Sequence, residues 1–155
     1  MDDCTPRAAR LGAVNTVRCE NGRLIGDATD GLAMCAAIDA AGIPVNGGVA
    51  HILGAGGGSG IAIADALCER GIGELILDET DPARAAAVQT LVAQLWPDVR
   101  VSGVSRSSAI LINATTLGKS CADMLPFCEK DIKSAELVCD VVTRKTRRNF
   151  VKSRN

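Results

Sequence analysis

Short apolar runs alternate with helical patterns from residue 49 to residue 142. The runs occupy residues 49–53, 74–78, 99–102, 109–113 and 137–142. Such runs are too short for helices and are typical of buried strands. Residues 59–70 carry apolar side chains on one helical face, and Pro82 is well placed to open a second helix that ends near residue 95. Short apolar strands that alternate with helices predict an α/β fold with a doubly wound parallel sheet.

A β-hairpin is predicted ahead of this region, over residues 13–27. Val14 and Val17 are β-branched residues that favour a strand, and a second β-prone run follows them. Asn21-Gly22 separates the two runs, and both residues tolerate the positive φ angles of a type I′ turn.

A helix is predicted over residues 31–41, with Thr29 or Asp30 as its cap. Gly42 and Pro44 end it. Its apolar residues lie almost all round the helix, which predicts burial between layers.

A glycine-rich turn joins the first apolar run to the next helix. It reads Gly54-Ala55-Gly56-Gly57-Gly58-Ser59-Gly60. Gly54 allows the tight turn, Gly56 allows close approach of a pyrophosphate, and Ser59 or Gly60 is small enough for close helix–strand packing. The helix N-terminus offers free N–H groups to phosphate. The turn predicts a Rossmann-type dinucleotide site, with contacts from Gly54, Gly56, Gly57, Gly58 and Ser59.

Acidic residues at the end of the second strand bear on the choice of dinucleotide. Asp78 stands where a carboxylate binds the ribose hydroxyls of NAD and repels the 2′-phosphate of NADP. Glu79 strengthens that repulsion, and Arg84 is the nearby cation that could reach a phosphate. The residues favour NAD, with NADP as the alternative.

The same order of strand, glycine turn, helix and acid also occurs in S-adenosylmethionine-dependent methyltransferases. A methyltransferase is therefore the rival from another reaction class. His51, the one histidine, lies inside the first predicted strand and is interpreted as a satisfied core residue.

Composition excludes several classes of partner. The net charge of −1 and the three aromatic residues give no reason to expect nucleic acid. The seven cysteines form no CxxC pair, so we predict no metal site and interpret most of them as buried thiols in a reducing compartment.

The ends of the printed sequence carry two further expectations. The acidic start lacks the apolar core of a signal peptide, and no run of about 18 apolar residues occurs, so we expect a cytoplasmic protein with no membrane partner. Six positive charges fall in residues 144–155, which predicts a solvated, frayed basic tail.

Several segments together resemble the shikimate dehydrogenase family, including its quinate/shikimate members. They keep the family's order and spacing over residues 5–142. Residues 12–17 (GAVNTV) and 26–31 (GDATDG) resemble its GAVNT and GxNTDG motifs, residues 54–57 (GAGG) its glycine turn, residues 112–118 (INATTLG) its NATPxG loop, and residues 140–142 (DVV) its next strand.

The resemblance implies an oxidoreductase that interconverts 3-dehydroshikimate and shikimate, or quinate and 3-dehydroquinate, with NAD or NADP. Asn15 and Thr29 would bind the substrate. Asp30 would be the catalytic carboxylate, which holds the reacting hydroxyl and partners a lysine. Asn113 and Thr115 would lie in a cofactor-binding loop.

The chain also departs from the family pattern. The NVTxPxK stretch with the catalytic lysine has no counterpart in the printed sequence, Ala28 replaces an asparagine, and Asp78-Glu79 replaces the Asn-Arg of NADP users. We therefore expect weak or no activity from this chain alone, and a non-catalytic dinucleotide-binding fragment is the alternative.

The resemblance divides the chain into three parts. Residues 1–30 would be a remnant of the substrate-binding domain, residues 31–143 the NAD(P)-binding domain, and residues 144–155 the tail. An isolated hairpin with uncovered edges favours association, so a homodimer is a further expectation.

Overall fold

A computed structural model describes residues 1–103, 108–120 and 122–143. It contains eight strands and five helices over these residues. In chain order they are β1 Asp3–Cys4, α1 Pro6–Leu11, β2 Thr16–Glu20, β3 Arg23–Asp27, α2 Asp30–Ala40, β4 Val49–Leu53, α3 Gly58–Glu69, β5 Glu74–Asp78, α4 Pro82–Leu95, β6 Arg100–Ser102, β7 Ile110–Asn113, α5 Glu129–Ser134 and β8 Leu137–Asp140.

The larger sheet has five parallel strands in the order β6-β5-β4-β7-β8. The chain starts at β4 in the centre, winds outward through β5 and β6, then returns to the other side of β4 for β7 and β8. This order is that of a Rossmann-type sheet, and it confirms the predicted α/β class. The carboxyl ends of β4 and β7 are neighbours at the point where the winding changes direction.

One face of this sheet forms the main core with α2, α3 and α4. Ile52, Leu75 and Ile112 point into it and are fully buried, as are Leu67 of α3 and Val92 of α4. The residues with alternate side-chain direction, such as His51, face the opposite side, because successive strand residues point to opposite faces.

The helices α2 and α3 pack at very short range. A Cβ on Gly31 would collide with the carbonyl oxygen of Ala62, and one on Gly60 would collide with the carbonyl oxygen of Gly54. Gly60 is therefore the residue whose small size permits close helix–strand packing, a role that the sequence left open between Ser59 and Gly60. Ser59 instead donates its hydroxyl to Asp30.

Residues 1–27 form a second, three-stranded sheet in the order β1-β3-β2. Asn21 and Gly22 have φ angles of 50° and 78°, which confirms the predicted hairpin turn. The expectation of an isolated two-stranded hairpin is wrong, because β1 pairs in parallel with β3. The short helix α1, which begins after the capping side chain of Thr5, connects β1 to β2.

A buried ion pair joins this sheet to the larger domain. Arg10 of α1 forms two hydrogen bonds, of 3.0 and 2.6 Å, to the carboxylate of Asp65 on α3, whose side chain is fully buried. The indole N–H of Trp96, just after α4, donates to the same carboxylate at 3.0 Å, and the Arg10 guanidinium lies over the Trp96 ring. The pKa of Arg10 is raised, first by its hydrogen bond to Asp65.

Some local predictions need correction. Helix α2 is buried on one face only, through Gly31, Met34, Cys35 and Ile38, while Leu32 is 42% exposed. The thiols are less buried than expected: Cys35 and Cys68 are buried, whereas Cys19 and Cys128 are exposed. Burial raises the pKa of Cys68 to about 12. The sequence pattern also missed β1, α1 and α5, which have two to six residues each.

The predicted basic tail and Cys121 lie outside the described residues. None of the helices in the described ranges has the length and apolar character needed to cross a bilayer.

Candidate functional site

The glycine turn lies at the carboxyl end of β4, in the centre of the sheet. Gly54 has a φ of 81°, and its N–H donates to the carbonyl oxygen of Asp78 at 2.8 Å. A Cβ on Gly54 would lie 2.7 Å from Cγ2 of Thr115, and one on Gly56 would lie 2.6 Å from Cβ of Arg84. Both positions therefore require glycine, because the loop after β7 approaches Gly54 and the start of α4 approaches Gly56.

The first turn of α3 is open to an incoming anion. Gly57 caps the helix without any side-chain hydrogen bond, and a Cβ on Gly58 would meet nothing within 4 Å. The first N–H groups of a helix have no partner within the helix. Free amides, a positive helix end and open space fit the pyrophosphate of a dinucleotide.

The acidic residues at the end of β5 have different surroundings. The side chain of Asp78 is half exposed, so its carboxylate is accessible to a ribose. Glu79 is folded inward, with only 4% of its side chain exposed. Its carboxylate accepts the N–H of Gly56 at 3.1 Å and of Asp81 at 3.0 Å, and pairs with Arg84 at 3.0 Å.

These contacts change the interpretation of Glu79 and Arg84. The hydrogen bond from Asp81 is the main cause that lowers the pKa of Glu79, and the Arg84 charge and the Gly56 N–H add to it against the opposing effect of burial. Glu79 therefore supports the glycine turn as an anion, a contact that the sequence did not reveal. Arg84, predicted as a cofactor contact, is bound to Glu79 and is 57% exposed.

Asn113 and Thr115 organise the loop after β7. The fully buried Asn113 donates from Nδ2 to the carbonyl oxygen of Leu117 and to Asp140, both at 3.0 Å. Its Oδ1 accepts the N–H and the hydroxyl of Thr115. The side-chain hydrogen bonds of both predicted cofactor residues thus stay within the loop and the end of β8, and Thr115 lies against Gly54.

The predicted catalytic carboxylate lies beside the phosphate-binding turn. Asp30 is the first residue of α2, and its Oδ2 accepts the hydroxyl of Ser59 at 2.6 Å. Helix α2 has no side-chain cap, so Asp30 is not the simple cap that was one interpretation of the sequence. The predicted catalytic and cofactor-binding residues therefore meet at one place.

The predicted substrate residues form a polar cluster next to Asp30. Asn15 is exposed, and its Oδ1 accepts the backbone N–H of Thr29 at 2.8 Å and the Thr29 hydroxyl at 3.2 Å. Thr16, which the sequence did not single out, shares a 2.7 Å hydrogen bond with the Thr29 hydroxyl. These contacts leave the Asn15 NH₂ group without a partner among the described residues.

His51 is a core residue but not a satisfied one. Its side chain is 9% exposed, and neither ring nitrogen has a hydrogen-bond partner among the described residues. Phe127 packs edge-on against the ring, and Nε2 lies 3.6 Å from a carboxylate oxygen of Asp78, beyond ordinary hydrogen-bond range. Burial lowers the pKa of His51, and the charges of Asp78 and Asp131 oppose this only in part.

The fold and the open glycine turn define a dinucleotide-binding domain of the Rossmann type. Shikimate dehydrogenase (NADP(+)) of Rubrobacter xylanophilus is 39% identical to the chain over 150 residues, which are 92% of this chain and 52% of that protein. Over the half that it spans, the chain belongs to the shikimate dehydrogenase family. No family model matches the chain.

Solved structures agree with this assignment. Ligand-free 5-ketofructose reductase of Gluconobacter sp. strain CHM43 superposes with a TM-score of 0.76 at 30% identity, over 90% of this chain and 53% of that one. Shikimate 5-dehydrogenase from Listeria monocytogenes, in complex with shikimate and NAD, gives 0.74 at 27% identity, over 92% and 54%. The chain spans about half the length of the curated relatives that it matches.

Two earlier interpretations change with these comparisons. The family assignment sets the methyltransferase aside. The preference for NAD is not supported, because the curated relatives are named for NADP(+), although the Listeria complex contains NAD. What the comparisons establish is a nicotinamide dinucleotide family.

Proposed function

We propose that the chain forms the cofactor-binding half of an oxidoreductase that interconverts 3-dehydroshikimate and shikimate, or the corresponding quinate pair. The observation that carries the proposal is the hydrogen bond between Ser59 and Asp30. It brings the carboxylate of the TDG segment to the helix that opens the dinucleotide site. The names of the relatives support the same reaction class.

Each predicted site residue has a separate role in the proposed reaction. The unpaired amides of the first turn of α3 hold the pyrophosphate, and Asp78 accepts hydrogen bonds from the adenosine ribose. Asn15 offers its free NH₂ to a substrate hydroxyl. Asp30 accepts the proton of the reacting hydroxyl group and keeps that oxygen oriented. The nicotinamide, when bound, supplies or accepts the hydride.

The choice between the two nicotinamide cofactors rests on opposing observations. The names of the curated relatives favour NADP. In this chain, the accessible carboxylate of Asp78 disfavours a 2′-phosphate, the inward-turned Glu79 adds a negative charge next to it, and the Arg84 charge is paired with Glu79. Calorimetric titration with each dinucleotide separately decides between them. A lower Kd for NADP than for NAD would mean that Asp78 and Glu79 do not determine which dinucleotide the chain prefers.

We further propose that this chain alone turns over slowly. Among the described residues, no lysine forms an ion pair with Asp30. A missing proton-transfer partner reduces rates by roughly 10²–10⁴-fold. The alternative of a non-catalytic dinucleotide-binding fragment predicts cofactor binding with no turnover above background.

The test combines binding with turnover. The purified chain is titrated with NAD and NADP, and then assayed with shikimate and with quinate by the absorbance of the reduced nicotinamide that forms. Asp30→Asn should abolish turnover and leave dinucleotide binding intact. The matched control is Asp39→Asn on the same helix, whose exposed side chain pairs with Arg70. A chain that binds neither dinucleotide would contradict the proposal, as would turnover unaffected by Asp30→Asn.

Self-association is part of the same proposal. Strand β2 is exposed at all five residues and lies at the edge of its sheet, and Val17 is 56% exposed. We expect a homodimer through this edge, and Val17→Lys should weaken it. Sedimentation velocity over a range of concentrations measures it, and a monomer at all concentrations contradicts it.

A further inference from the structure

The hydrogen bond between Ser59 and Asp30 connects two helices that serve different predicted subsites. Ser59 is the second residue of α3, in the turn proposed to hold the pyrophosphate, and Asp30 is the first residue of α2, beside the predicted substrate residues. The 2.6 Å separation of their oxygens is typical of a hydroxyl that donates to a carboxylate.

The two helices hold this pair at a fixed distance. Gly31 follows Asp30 directly, and a Cβ there would collide with the carbonyl oxygen of Ala62 and lie 2.7 Å from Cβ of Ala66. The α2–α3 contact therefore leaves no room for the helices to move closer together. The Ser59 hydroxyl therefore meets the Asp30 carboxylate beside this close helix–helix contact.

The Ser59 hydroxyl has a single proton to donate. A serine hydroxyl is one donor and can serve one acceptor at a time. It donates to Asp30 in a turn that otherwise presents only backbone groups, because Gly56, Gly57 and Gly58 have no side chains. A change at the N-terminus of α3 can therefore reach Asp30 through this hydroxyl.

We propose that Ser59 is a positioning residue that couples occupancy of the dinucleotide turn to the orientation of the Asp30 carboxylate. The proposal rests on the proposed function, since it assumes that a dinucleotide binds at this turn. It assigns Ser59 a role beyond phosphate contact: the carboxylate that faces the substrate is held differently with and without cofactor.

The test observes Asp30 directly, without any activity assay. The whole chain is prepared with ¹³C-labelled aspartate, and the Asp30 carboxyl resonance is assigned by its loss in Asp30→Asn. Spectra are recorded at about pH 8, where carboxylates in general are ionised, with and without saturating NAD or NADP. The variants are Ser59→Ala, which removes the donor, and Ser59→Thr, which retains it.

The matched control is Ser102→Ala. Ser102 also donates its hydroxyl to a buried carboxylate, that of Glu74 at 2.8 Å, but it lies on β6, away from α2. Backbone amide spectra establish that each variant is folded.

We expect the Asp30 resonance to move on dinucleotide binding in the wild type, in Ser59→Thr and in Ser102→Ala. The response should be lost in Ser59→Ala, although calorimetry still detects binding through the backbone amides. An equal Asp30 response in Ser59→Ala and in the wild type would overturn the coupling alone. Failure of the wild type to bind either dinucleotide would overturn both the coupling and the proposed function.

Discussion

His51 is buried in the central strand with two ring nitrogens that no described residue satisfies. A neutral imidazole carries one N–H, and leaving such a group unpaired in the core costs about 1–3 kcal/mol. Protonation adds a charge to the same enclosed position. The lowered pKa of His51 follows from this burial.

We predict that acid destabilises the protein through His51 before the carboxylates titrate. In the unfolded chain the histidine takes its proton near pH 6.5, whereas in the folded chain its pKa is lower. The unfolded state therefore binds more protons below about pH 6.5, and the free energy of unfolding falls as the pH drops from there toward the folded pKa.

Urea unfolding of the wild type and of His51→Leu, at several pH values between about 8 and 5, measures this effect. The variant should lose the decline and, at about pH 8, should equal or exceed the wild type in stability. All carboxylates remain in both proteins, so the difference between the two curves isolates His51. Parallel curves would show that His51 is not the titrating group.

The charge of Glu79 should also affect the choice between NAD and NADP. Glu79→Gln keeps an oxygen that can accept the N–H of Gly56 but removes the charge that binds Arg84. We expect the ratio of the Kd for NADP to the Kd for NAD to fall by about tenfold, a change of about 1.4 kcal/mol. Calorimetry measures both constants, and Glu129→Gln, on an exposed pair with Lys133, is the control. An unchanged ratio would mean that the 2′-phosphate position does not sense Glu79.

At the scale of elements, the first three residues of helix α3 are all small, but they have different surroundings. Gly58 faces open space, whereas Gly60 lies against the backbone of Gly54 and Ala55. The same substitution should therefore have a large effect on stability at one of these positions and a small effect at the other.

We predict that Gly60→Ala destabilises the protein by about 1–3 kcal/mol through overpacking. Gly58→Ala should change stability by less than about 1 kcal/mol, because the added methyl group meets nothing and alanine favours the helix. Thermal and urea unfolding of both variants provide the comparison. Equal stabilities would indicate that α3 can move away from β4 without cost.

The elements that the sequence predicted well are those with strong local signals. β4, β5 and α4 have the predicted bounds, and the hairpin turn has the positive φ angles that Asn21-Gly22 indicated. These elements were predictable because the residues within each of them are sufficient to determine its local structure.

The elements that the sequence missed depend on distant partners. β1 has two residues and exists only because β3 lies beside it, and α1 is held by Arg10 at Asp65, 55 positions away. The inward turn of Glu79 and the contact of Ser59 with Asp30 likewise arise when separate elements pack. Residue spacing alone does not predict such contacts.

At the scale of the whole molecule, one buried carboxylate links α1 to α3 and to the segment after α4. Asp65 is fully buried and accepts hydrogen bonds from Arg10 and from Trp96. Three segments of the chain thus depend on a single charged group.

We predict that Arg10→Ala lowers the free energy of unfolding by about 3 kcal/mol, because it leaves the charge of Asp65 buried without its cation. The control is Arg18→Ala: its partner Glu20 is half exposed, and Asp27, 3.9 Å away, keeps its hydrogen bonds to Thr5 and Arg7, so the loss should cost less than about 1 kcal/mol. Asp65→Asn in the Arg10→Ala background should restore part of the stability. Urea unfolding measures all of these variants, and equal losses for Arg10→Ala and Arg18→Ala would contradict the prediction.

The same carboxylate limits how this fold can be recombined. A domain boundary near residue 30, which the family resemblance suggests, would separate Arg10 from Asp65. The nucleotide-binding segment would then contain the buried Asp65 carboxylate without its counter-ion. A chimera that takes residues 31–143 as a portable part must therefore also bring an arginine at the position of Arg10, or neutralise Asp65.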